Sequence, residues 1–100
     1  MEERFLLMKG TFKSDGSGDE WVEGATYSLE EAKKEFDRIK KVILGIKRHR
    51  NGTIKTWIER QVWNKEYNYW GSPFEYKPDI IESYTIDVNL YGFARGSLGR

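Results

Sequence analysis

The sequence of 100 residues contains no cysteine. This absence excludes disulfide bonds, thiolate nucleophiles and thiolate metal sites, and it suits a reducing compartment. The chain also has no long apolar run at its start, where MEERFLLMKGTF carries acidic residues in place of the positive charge of a signal peptide. That apolar run is too short to span a bilayer. We therefore expect a cytoplasmic protein that is neither exported nor inserted into a membrane.

Residues that commonly carry catalysis are scarce. The single histidine, His49, stands among Lys47, Arg48 and Arg50, whose positive charge disfavours protonation of its ring. It could act as a base on a phosphodiester, as in small metal-independent nucleases, but a surface role is the expected one. No serine lies in a nucleophile elbow, and the acidic loop at 15–20 lacks calcium-loop spacing. We predict no catalytic residue, no cofactor and no metal ion.

The amino-acid composition predicts one small domain that is rich in aromatic residues. Hydrophobic residues make up 38% of the chain, charged residues 33% and aromatic residues 15%, which indicates a thin core under a heavily charged surface. A second core would leave each half too small to fold unaided. We predict a single α+β domain over residues 1–92 and a flexible, glycine-rich tail over residues 93–100.

The clearest element is an amphipathic helix over Ser28–Leu44. Ser28 followed by Glu31 matches a capping box, and acidic residues in the first turn suit the helix dipole. Apolar residues recur at spacings of three and four, at Leu29, Ala32, Phe36, Ile39, Val42, Ile43 and Ile46. This stripe predicts a helix that packs on a sheet.

The remaining patterns predict strands and turns. Asn51-Gly52 is a strong signal for a two-residue hairpin turn. We predict an antiparallel sheet of three to five strands, drawn from Arg4–Lys13, Glu20–Tyr27, Ile46–Arg50, Thr53–Trp63 and Ile80–Tyr91. The segment Ile46–Arg50 could instead continue the helix. Asn64–Asp79, with two prolines and five aromatic residues, is predicted to be a long loop.

Alternation along Thr53–Trp63 predicts two unlike faces. Ile54, Ile58 and Val62 would lie under the helix. The opposite face would carry Lys55, Trp57, Glu59, Gln61 and Trp63. The tryptophan face is then exposed, or it is covered by the aromatic segment Tyr67–Tyr76.

Charge is unevenly distributed although the net charge is only +1. Residues 1–37 hold five basic and ten acidic side chains, residues 38–65 nine and one, and residues 66–100 three and five. The basic middle is either a patch for a polyanion or the partner of the protein's own acidic ends.

Two binding functions fit this pattern. Tryptophan, tyrosine and arginine are enriched at protein–protein hot spots, which favours a protein partner. Cations beside stacking rings also suit single-stranded nucleic acid, although a nearly neutral chain is unusual for a dedicated nucleic-acid binder. The predicted partner-binding residues are Arg48, Arg50, Lys55, Trp57, Trp63, Tyr67, Tyr69 and Trp70.

In length, high charge, lack of cysteine and a single capped helix on a sheet, the chain resembles the short accessory proteins of bacteriophages and mobile elements. Some members of that group are stoichiometric inhibitors of host enzymes or host defence. The resemblance therefore implies a non-catalytic, inhibitory binding protein, and it assigns no residue a role because no motif carries it.

Overall fold

A computed structural model describes residues 2–13, 15–44, 52–88 and 94–98. In chain order these residues form β1 (Glu3–Lys13), β2 (Gly18–Thr26), α1 (Leu29–Leu44), β3 (Gly52–Asn64), β4 (Tyr69–Gly71), β5 (Asp79–Val88) and β6 (Ala94–Leu98). One helix packs against an antiparallel sheet, which confirms the predicted α+β class.

The sheet is centred on β3, its longest strand. The strands follow the order β2, β1, β3, β5, β6, and β4 pairs with the end of β3 beyond β5. Over Gly52–Arg60, β3 pairs with β1 on one edge and with β5 on the other. The predicted hairpin partner, Ile46–Arg50, lies outside the described residues.

Helix α1 begins as predicted. The Ser28 side-chain oxygen accepts a hydrogen bond from the Glu31 amide at 3.4 Å, and the Ser28 carbonyl accepts one from the Ala32 amide at 3.0 Å. The buried stripe consists of Ala32, Phe36, Ile39 and Ile43. Val42, which we placed in this stripe, is half-exposed, so the contact with the sheet is narrower than predicted.

The core lies between α1 and one face of the sheet. Leu7 pairs with Ile58 across β1 and β3, and Ile54 pairs with Ile86 across β3 and β5. Phe5, these four side chains and the helix stripe form one buried cluster. The predicted split of β3 is confirmed for Ile54 and Ile58, which face the helix, whereas Val62 is only half-buried and lies outside this cluster.

Three other segments differ from the prediction. The predicted loop Asn64–Asp79 contains β4, because Trp70 pairs with Trp63. Five residues of the predicted tail, Ala94–Leu98, pair with β5 as β6. Simple alternation along Ile80–Tyr91 would place Ile80 on the same side as Tyr84 and Ile86, but a register shift at Ile58 and Glu59 aligns Ile80 with Glu59.

Candidate functional site

The sheet face opposite α1 carries Trp57 at the middle of β3. Its indole nitrogen donates to the Glu59 carboxylate at 3.2 Å, and the Lys55 ammonium lies 5.5 Å from the ring centroid. Trp57 is only 5% exposed, which leaves little of its ring for a partner. Trp57 therefore packs as part of the framework of this face.

The end of the same face is a fixed aromatic platform. Trp63 and Trp70 meet edge to face with ring centroids 5.5 Å apart, and Tyr27 lies 6.3 Å from Trp70. The Arg4 guanidinium lies 4.7 Å from the Trp70 centroid, and its Nε donates to the Gln61 side-chain oxygen at 2.9 Å. Stacking and this hydrogen bond hold the cation in one orientation.

Beyond the platform, one tyrosine projects from the β3–β4 connection and a second from the first residue of β4. Tyr67 is 68% exposed and Tyr69 51% exposed, with their ring centroids 6.5 Å apart. The Asn64 side chain accepts a hydrogen bond from the Tyr67 amide at 3.1 Å, and Asn68 adopts a φ of 54° that asparagine tolerates well. The Asn64 hydrogen bond and the Asn68 conformation thus shape the turn from which Tyr67 projects.

The loop that follows β4 is closed by Ser72. Its hydroxyl donates to the Lys77 carbonyl at 2.6 Å and accepts from the Phe74 amide at 3.1 Å. Within this closed loop, Tyr76 is fully exposed and adopts a φ of 64°. The left-handed region is uncommon for an aromatic residue and costs free energy. The loop therefore holds the Tyr76 side chain exposed to solvent on a strained backbone.

An open cleft of about 640 Å³ lies between this loop and the end of β3. Its lining includes Glu59, Tyr69, Phe74, Glu75, Tyr76 and Lys77. We call the four exposed rings of Tyr67, Tyr69, Phe74 and Tyr76 the aromatic rim. Within the segment Tyr67–Tyr76, β4 extends the tryptophan face by pairing Trp70 with Trp63.

The charge around the aromatic rim is slightly acidic. Residues 64–79 contain two lysines against three acidic residues, and Glu59 adds a further carboxylate at the cleft. Of the cations that contact rings on this face, Arg4 lies on Trp70 and Lys55 on Trp57, and Lys77 lies on the rim ring of Phe74. This local charge does not favour a polyanion.

Within the described ranges, no three His, Cys, Asp or Glu side chains are grouped closely enough to hold a metal ion. No helix among those residues is long and apolar enough to cross a membrane. Comparison of the chain with protein-family models, with curated proteins and with solved structures found no match. The candidate site is therefore defined by its geometry and chemistry.

The structure brings together half of the predicted site residues. Trp63, Trp70 and the two tyrosines lie at one end of the sheet, whereas Lys55 and Trp57 lie midway along β3. Arg48 and Arg50 lie outside the described residues. Gly52, the first described residue after them, is separated from Trp63 by about 36 Å of extended strand, counting roughly 3.3 Å per residue.

Three residues of this surface were missing from the predicted site. Phe74 and Tyr76 lie in a segment bounded by Pro73 and Pro78, and proline-bounded aromatic residues are a signal for an ordered, exposed loop. Arg4 offered no comparable signal, because it reaches Trp70 only through the register that aligns β1 with β3.

Proposed function

We propose that this protein is a non-catalytic binding protein that acts by stoichiometric protein–protein interaction through the aromatic rim. The observation that carries this proposal is Tyr76, which is fully exposed at a φ of 64° in a loop closed by Ser72. An exposed aromatic side chain on a strained backbone adds no packing that would stabilise the isolated domain. Strain of this kind is typical of ligand-binding segments, where the partner supplies the compensating contacts.

The size of the aromatic rim supports a protein partner. Phe74 is 49% exposed, and with the other three rings the rim offers on the order of 500 Å² of accessible surface. That area matches the largest patches found on monomeric proteins, which are often functional. It is also more than half of the roughly 800 Å² that one side of a standard interface buries.

The rigidity of the neighbouring platform adds to this support. Trp63 and Trp70 are half-buried and in mutual contact, and Arg4 is fixed on Trp70. A partner that lies on the aromatic rim would therefore meet pre-ordered groups at its border. Because these groups are already ordered, binding costs less conformational entropy.

Single-stranded nucleic acid remains the alternative prediction. The acidic surroundings of the aromatic rim favour a protein over this alternative. A fluorescence-anisotropy titration with labelled oligonucleotides at low salt tests it, since nucleic-acid binding would weaken steeply as salt is added. The nuclease alternative depends on His49, which lies outside the described residues; loss of phosphodiester turnover in His49→Ala would support it.

The proposed function is tested by isolating a partner from a lysate and measuring its affinity for matched variants. Tyr69→Ser combined with Tyr76→Ser removes two exposed rings and should weaken binding at least about tenfold, as expected for hot-spot tyrosines. Val42→Ser removes a similarly exposed apolar side chain on α1 and should leave the affinity within about twofold. Equal affinity of the rim variant and the native protein would contradict the proposal.

The resemblance to phage and mobile-element accessory proteins further implies that binding inhibits the partner. This finer role is tested by assaying an enzymatic partner with increasing amounts of the protein. Inhibition that is complete near one equivalent would support a stoichiometric inhibitor, and full activity at saturation would restrict the role to binding.

A further inference from the structure

The cleft beside the aromatic rim combines rings with carboxylates. Tyr69, Phe74 and Tyr76 contribute aromatic surface to its lining, and Glu59 and Glu75 contribute negative charge. Its volume of about 640 Å³ is ample for one long side chain and its hydration. Rings next to carboxylates are the environment that proteins use to recognise organic cations.

The two carboxylates have no cationic partner among the residues that the structure describes. Ion pairs in that part of the chain involve neither Glu59 nor Glu75. Glu59 is half-buried, and its one described hydrogen bond, from the Trp57 indole, engages only one of its two oxygens. A partly desolvated carboxylate that lacks a cation is stabilised when a cation is brought to it.

A cation of the protein itself already lies against a ring of this cleft. The Lys77 ammonium lies 5.4 Å from the centroid of the Phe74 ring, and both residues line the cleft. That separation is within the range of cation–π attraction. The ring face therefore accepts positive charge, and a cation from a partner would compete with Lys77 for it.

We propose that the cleft receives an arginine side chain of the protein partner. Its planar guanidinium can stack on the exposed rings and donate hydrogen bonds to the cleft carboxylates at the same time, which a compact ammonium does less well. Charge complementarity selects this occupant over an acidic or purely apolar one. The inference rests on the proposed function, because the arginine belongs to the partner that the aromatic rim binds.

The experiment is an NMR titration of the isotope-labelled protein with N-acetyl-arginine amide and, separately, with N-acetyl-citrulline amide at constant ionic strength. Citrulline has nearly the same shape as arginine and carries no charge. We expect saturable amide shifts at Tyr69 and Phe74–Lys77 with the arginine probe, and affinity at least about fivefold lower with the citrulline probe.

Three variants sharpen the test. Glu59→Gln with Glu75→Gln keeps shape and hydrogen-bonding capacity while removing both charges, and it should weaken arginine binding at least about fivefold. Glu66→Gln removes an exposed carboxylate that does not line the cleft, and it should leave binding unchanged. Lys77→Gln removes the competing cation and should strengthen arginine binding about two- to fivefold.

Equal affinity for arginine and citrulline, or unchanged arginine affinity in the Glu59→Gln/Glu75→Gln variant, would overturn the inference. These outcomes are separable from failure of the proposed function. A partner that still requires Tyr69 and Tyr76, but is insensitive to the loss of both carboxylates, would refute the arginine cleft alone. Arginine binding without any effect of the ring variant on partner affinity would refute the aromatic rim as the protein-binding surface.

Discussion

The strained Tyr76 leads to a prediction in which stability and binding change in opposite directions. Tyr76→Asn places at a φ of 64° a residue that tolerates the left-handed region much better than an aromatic residue does. Because the Tyr76 side chain is fully exposed, its removal sacrifices no packing within the domain. The variant should therefore be more stable than the native protein.

The expected gain in the free energy of unfolding follows from the free-energy cost of the left-handed conformation at Tyr76. The left-handed region costs an L-residue about 1–2 kcal/mol, and asparagine recovers part of this through its local hydrogen bonding. We expect the free energy of unfolding to rise by about 0.5–1 kcal/mol. With a urea m-value of about 1–2 kcal/mol/M for a small domain, the unfolding midpoint should move up by about 0.5 M.

The assay is urea denaturation followed by tryptophan fluorescence, together with the affinity for the isolated partner. Tyr67→Asn is the matched control, because Tyr67 is also an exposed tyrosine but has no positive φ. It should shift the midpoint little while still removing a ring of the aromatic rim. If Tyr76→Asn is no more stable than Tyr67→Asn, strain is not stored at Tyr76 and the central observation behind the proposed function fails.

Three further predictions concern the framework. Trp57→Ala should lower the free energy of unfolding by about 3–5 kcal/mol in denaturant titrations, because the ring is buried; a change below about 1 kcal/mol would show that the indole is dispensable. Thr56→Val should lower the free energy of unfolding by about 1–2 kcal/mol, because the hydroxyl of the fully buried Thr56 donates to a β1 carbonyl at 2.7 Å. Thr53→Val should cost almost nothing, because the Thr53 hydroxyl donates to Asp87 in a solvent-exposed hydrogen bond; equal losses in the two variants would contradict this. The Asp15 pKa lies below its usual value because the Ser17 hydroxyl and amide donate to the carboxylate. The stabilisation is therefore present above the unfolded-state pKa and is lost as pH falls through the lower folded-state pKa, and Ser17→Ala should raise the pKa of Asp15 in an NMR titration.

The predictions that held were those carried by local patterns. The Ser28 cap and the three-and-four spacing after it predicted α1 within one residue, because capping and amphipathic periodicity act between residues close in the chain. The alternation along Thr53–Trp63 correctly separated Ile54 and Ile58 from the tryptophan face for the same reason.

The predictions that failed required knowledge of which strands become neighbours. The predicted loop Asn64–Asp79 contains β4, because Trp70 pairs with Trp63, and no local pattern in the loop indicates that pairing. Simple alternation would place Ile80 on the side of Ile86, but a register shift between β3 and β5 aligns Ile80 with Glu59. Pairing of whole strands adds many hydrogen bonds and the burial of the core, and both depend on residues that are far apart in the sequence.

The same distinction between local patterns and long-range contacts applies to the candidate site. Composition alone identified a segment dense in tyrosine and tryptophan and limited the chemistry of the chain, since a sequence without cysteine and with one histidine offers few catalytic groups. Only the tertiary structure decided which rings are available. Register buried Trp57 and placed Arg4 against Trp70, while the Ser72 hydrogen bonds left Tyr76 exposed. Burial depends on what packs above a side chain, and that is settled by contacts between residues far apart in the sequence.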